Sequence, residues 1–159
     1  MDTIARHARR LVKPYCRAAE ADAIVFSAKR LANIVLCNTQ ILPEHRNKVL
    51  SGVQWMISQA SGKYATRYRS EAVVELATNV PTSATKINHE HIFTRKHIIQ
   101  QLLANPQNSD LILDQVVACI VTKEQHEKLS VVAPVLVGWD RYRQAGIKVL
   151  DMSNRSTHE

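Results

Sequence analysis

Three histidines and one carboxylate fall in two short pieces of this chain, His89-Glu90-His91 and His126. Neutral imidazole and carboxylate are good ligands for a hard or borderline divalent ion. An imidazole beside such an ion, but not bound to it, can take the proton of a water attacking a phosphodiester while the metal stabilises the leaving oxygen. Two ligand sets compete. On a straight strand His89 and His91 face one way and Glu90 the other, and His126 would complete a three-histidine zinc site with an open position. A bend near Glu90 instead brings Glu90 and His126 to the ion and leaves His91 as the base. The competing explanation is structural: the chain holds seven histidines, enough for chance clustering.

The surrounding pattern says which elements carry these groups. Residues 86–93 alternate between turn residues, as a short strand does. Residues 118–121 are apolar and β-leaning, a second strand. Thr122 is then a good N-cap, and Gln125 at the third helical position completes a capping box. His126 therefore lies one turn into a helix that runs to Leu129 or beyond. Between the strands, residues 95–104 are helical, 105–109 form a loop, and Ser109 or Asp110 caps a short helix through Val116. Pro134 breaks the chain. Residues 139–145 form a short helix ended by Gly146, and 147–150 a last strand. Trp139 and Tyr142 are read as packing over the strands, with Arg141 and Arg143 outside.

The N-terminal half is helical. Residues 1–15 make a basic first helix ended by Pro14. Ile24, Ala28, Leu31 and Val35 share one helical face in residues 18–40, and Pro43 opens a second helix through Ala60, stopped by Ser61-Gly62. Two helices joined by a short turn form an antiparallel hairpin. Trp55 reads as packing. Residues 63–80 read as a third helix, in which Lys63, Arg67 and Arg69 interleave with Tyr64 and Tyr68. Such a run can follow a nucleic-acid backbone, and it equally suits tyrosines packing while arginines reach solvent. Residues 81–85 are a linker, and the tail beyond 152 is polar.

Glu90-His91-Ile92 and the passage from Ile120 through Thr122 to His126 together resemble the HNH, or ββα-metal, endonuclease superfamily. That family ends its first strand on a carboxylate-His-Ile triplet and places a metal-binding His or Asn near the start of the helix after the second strand. The resemblance implies His91 as general base and Glu90 and His126 as metal ligands, with His89 and Asp114 in support. Arg95 and Lys96, together with Lys123, Arg67 and Arg69, would contact nucleic-acid phosphates. It covers about a quarter of the chain. Val117 stands where the family carries its middle Asn, and Ser130 where a further His or Asn often follows.

The expected fold is therefore mainly α with a small α+β module. An N-terminal helical hairpin and third helix (1–80) precede a ββα-metal-like two-strand/helix motif (81–152) and a tail (153–159). The expected activity is metal-dependent hydrolysis of nucleic-acid phosphodiesters, DNA the preferred substrate, with Mg, Mn or Zn as the divalent cofactor. Two alternatives stand beside it: a non-catalytic nucleic-acid-binding protein on a degenerate HNH-like fold, and a helical protein-interaction module of the antitoxin or immunity kind. A net charge of +7 favours an acidic partner. Three scattered cysteines without a CxxC pair point to a reducing compartment. With no apolar run long enough for a bilayer and no signal-peptide core behind the basic N-terminus, a cytoplasmic location is expected and a membrane partner is not. The N-terminal helices leave room for a protein partner or homodimer.

Overall fold

The apolar stripe of the first strong helical pattern folds as α1 (Ala21–Cys37), which buries Ala28, Ala32 and Val35. Pro43 opens α2 (Pro43–Ser58), where its missing N–H leaves no helical hydrogen bond unmade. The two helices pack as the expected hairpin. The computed structural model describes residues 11–79, 86–133 and 135–153; most of the basic first helix and the expected 81–85 linker lie outside them.

The third helix is shorter than its pattern indicated. Tyr68–Ser70 is a strand, β1, and the helix, α3, spans Glu71–Asn79. The Ser70 hydroxyl accepts from the Val73 N–H at 3.3 Å, an N-cap contact that starts the helix here. Beyond it come β2 (Ile87–His91), α4 (Arg95–Ala104), a 3-10 turn (Pro106–Asn108) and α5 (Ser109–Leu113). β3 (Ala118–Thr122), α6 (Lys123–Val131), α7 (Trp139–Gln144) and β4 (Val149–Asp151) complete the chain. The fold is mainly α with a small mixed sheet.

The sheet has the order β2-β3-β1-β4. β2 and β3 are antiparallel, with His89 opposite Ile120 and His91 opposite Ala118. β1 lies parallel to β3 and antiparallel to β4. Because β1 comes from the region read as purely helical, the sheet joins the two regions on either side of residue 80. One face packs Cys119 and Val121 against Leu129 of α6 and Tyr142 of α7, with Ile92 and Ile147. On the other, Ile87 and Ile120 meet Val73 of α3 and Leu11. The helical core of α1, α2, α4 and α5 centres on Ala32, Leu50, Val53, Ile98, Leu102 and Leu113. Phe93 touches both this core and the Tyr142 cluster. Gly138 lies against the Phe93 ring with φ +63°, and a Cβ there would come within 2.8 Å of the ring.

The capping box at the start of α6 is complete: Thr122 accepts from the Gln125 N–H, and Gln125 accepts from the Thr122 N–H. The Gln125 side chain also accepts from the Ser70 hydroxyl at 2.6 Å, so one amide ties β1 to the helix that carries His126. Among the described residues no helix is long and apolar enough to cross a membrane. In urea unfolding, Thr122→Ala should lower stability by about 1 kcal/mol. Gln125→Ala should cost more than Thr122→Ala, because it strips partners from both the Thr122 N–H and the Ser70 hydroxyl.

Candidate functional site

β2 is straight enough to keep its alternation. Ile87, His89 and His91 are buried on one side, while Asn88 and Glu90 are half-buried on the other. On the Glu90 side, His126 comes over from the first turn of α6, and its Nδ1 lies 2.7 Å from Glu90 Oε2. The second carboxylate oxygen faces Arg141 Nη2 at 3.4 Å. Arg141 is buried rather than outside, and its guanidinium also reaches the carbonyls of His91, Ile92 and Leu129 at 3.4–3.5 Å. Glu90 thus links β2 to α6 and α7. As a metal site the pair supplies two donors, and an ion there would share Glu90 with a buried positive charge. The residues fit a divalent ion poorly. Among the described residues no three His, Cys, Asp or Glu side chains gather closely enough to hold one.

His91 does not join this cluster. It lies across the sheet with His89, and Trp55 of α2 covers both. The Trp55 ring stacks on His89 at 5.3 Å and meets His91 edge-on at 4.8 Å, and the two imidazoles are 5.5 Å apart. His89 and His91 are 9% and 6% exposed. Burial pushes both imidazoles down to a pKa of about 4; the Lys63 charge adds to this at His89, and the His89 and Arg95 charges add at His91. Contacts with the Ser58 and Gln54 backbone act in the opposite direction. His91 Nε2 makes no hydrogen bond among the described residues, and the Ser58 backbone approaches His89 outside good hydrogen-bond geometry.

The remaining candidates are dispersed. Arg69 is 2% exposed, with its guanidinium on the carbonyls of Leu11 and Lys13. It anchors the incoming chain to β1 and is not placed to touch a phosphate. Arg67 is exposed over the Tyr68 ring and forks onto Asp151, whose carboxyl it holds well below the usual range. Asp114 pairs with Lys29 of α1 at 2.6 Å, away from Glu90. Lys96 and Lys123 are exposed at the starts of α4 and α6. Arg95 lies over the Trp55 ring at 5.1 Å and donates to the Ser51 hydroxyl. His97, read as a surface residue, is half-buried and lies 2.6 Å from the Gln101 amide. The sequence reading did not anticipate Trp55 over the histidines or Arg141 on Glu90; both contacts join residues far apart in the chain and leave no local pattern.

No family model, curated protein or solved structure matches this chain.

Glu90→Gln should lower stability by about 1–3 kcal/mol, since it removes the charge facing the buried Arg141. His126→Ala should cost less than about 1 kcal/mol, because that imidazole is nearly half exposed. Urea midpoints distinguish the two. The buried imidazoles also set a pH dependence. Above pH 6.5 His89 and His91 are neutral in both the folded and unfolded chain, so their contribution is level. Between 6.5 and about 4 the unfolded chain binds protons that the folded chain does not, so stability falls as pH falls, by up to about 3 kcal/mol per histidine. Replacing either residue by Phe should flatten the urea midpoint against pH over that window.

Proposed function

We propose that this chain binds nucleic acid through the basic and aromatic surface centred on Trp55. The observation that carries the reading is the arrangement of cations around that ring. Arg95 lies over it, and Lys63, exposed in the turn after α2, is close enough to His89 to lower its pKa. Lys63 in turn lies over the Tyr64 ring at 5.4 Å. Exposed cations alternating with rings suit a phosphate backbone with its bases stacked nearby, and the net charge of +7 adds long-range attraction. The separation of His91 from Glu90 and His126 weighs against the hydrolase reading, and the direct Glu90–His126 contact is what remains in its favour.

Anisotropy of labelled single-stranded and duplex DNA and RNA, measured over a salt series, tests this. Affinity should fall linearly on a log–log salt plot. The double substitution Lys63→Glu/Arg95→Glu should weaken binding and reduce the slope by about two, one per phosphate contact. Lys148→Glu makes the same kind of charge change near the far edge strand β4 and should do less. Magnesium- or manganese-dependent nicking, lost in His126→Ala, would establish the hydrolase instead. No binding at low salt would leave a protein-interaction role for the helical hairpin.

A further inference from the structure

The segment that links α2 to β1 carries Lys63 and Tyr64, and through Ser61 and Ala65 it forms one wall of a cleft of about 450 Å³. That volume is in the range that encloses a small ligand. The floor is apolar, built from Val25 of α1, Ile57 of α2, and Leu113 and Val116 at and beyond the end of α5. Hydroxyls interrupt it. Thr66 donates to the Tyr68 carbonyl and Ser58 to the Trp55 carbonyl, so each hydroxyl oxygen keeps acceptor capacity. Three charged residues reach the cleft, and each is already paired: Arg17 with Asp22, Arg67 with Asp151 and Asp114 with Lys29. The cleft is therefore electrically balanced, although the chain carries +7. That balance decides the class of ligand. An anion would have to draw a guanidinium from its carboxylate. A hydrocarbon would desolvate the hydroxyls and return nothing to them. An uncharged, flat heterocycle with donors and acceptors on its edge meets both demands.

The cleft also adjoins the surface centred on Trp55. Ser58, in its lining, approaches His89, the imidazole on which Trp55 stacks. Ala118, also in its lining, is the strand partner of His91. From this juxtaposition we infer that the cleft takes one unpaired base of a single-stranded nucleic acid whose backbone is held at Lys63. A nucleobase is uncharged at neutral pH, and Tyr15 offers it a ring and a hydroxyl at the cleft wall. The phosphates stay outside, beside the lysine. Turning a base out of a single strand costs little, whereas a duplex must first give up pairing and stacking. The surface thereby prefers single strands. This inference rests on the nucleic-acid reading and adds to it the strandedness of the ligand.

The test compares three probes on the full chain: a mixed-sequence DNA strand, the corresponding duplex, and an abasic strand of equal length. The intact strand should bind about tenfold or more tighter than the other two, the scale set by one buried base. Val25→Trp fills the cleft from α1 and Ala65→Trp from the opposite wall. Each should bring the intact strand down to the abasic level without changing the salt slope, because neither touches a cation. A second measurement needs no variant. In the methyl-labelled parent chain, the Val25, Ile57 and Val116 resonances should shift with the intact strand and stay in place with the abasic one. Equal affinity for all three probes overturns the inference and leaves the nucleic-acid reading standing. Unmoved Val25, Ile57 and Val116 methyls at saturation with the intact strand do the same. No binding of any probe at low salt overturns both.

Discussion

Consecutive residues of a β-strand project to opposite sides of the sheet, and β2 holds to this through His89, Glu90 and His91. Everything distinctive about the candidate site follows from that alternation. Glu90 turns toward α6 and α7, where it meets His126 and Arg141. The two histidines turn toward α2, where Trp55 closes over them. A sequence triplet that looks like one constellation is divided by the sheet into two, each with its own solvent exposure and its own charge environment. The five-residue pairing with β3, Ile87 opposite Thr122 through His91 opposite Ala118, fixes the register. A slip of one residue would move every one of these side chains to the wrong face.

The two sides are built on opposite electrostatic plans. On the Glu90 side a carboxylate is flanked by a guanidinium and an imidazole, with backbone carbonyls taking other guanidinium contacts. The contacts join a strand and two helices, so the arrangement is well suited to holding the α6–α7 layer on the sheet. On the Trp55 side burial disfavours the charged imidazoles, which are covered by an aromatic ring and lie near the Lys63 and Arg95 charges. The exposed cations thus flank the α2 face, while Glu90 is engaged by His126 and Arg141 on the other.

Much of this architecture was legible in the sequence because it is local. The α1–α2 hairpin follows from a helical apolar stripe and a proline at a helix start. α4 follows from Arg95 to Ala104, and the capping box from Thr122 and Gln125. β1 was not legible: Tyr68, Arg69 and Ser70 lie in a run with helical spacing, and only their pairing with β3 and β4 makes them a strand. Arg69 was read as a surface cation for the same reason; its partners, the Leu11 and Lys13 carbonyls, lie more than fifty positions away. The site was legible in composition but not in arrangement. Glu90 and His126 meet in a direct contact, whereas the side to which His91 turns depends on whether the strand bends, and no residue near Glu90 signals that.

The division of the triplet by β2 can be observed directly through the ring protons of His91. Nuclear Overhauser contacts in the isotope-labelled chain should run from the His91 imidazole to the Trp55 indole and to His89, and from His126 to Glu90. A contact between the imidazoles of His91 and His126 would contradict the account and return His91, Glu90 and His126 to a single centre.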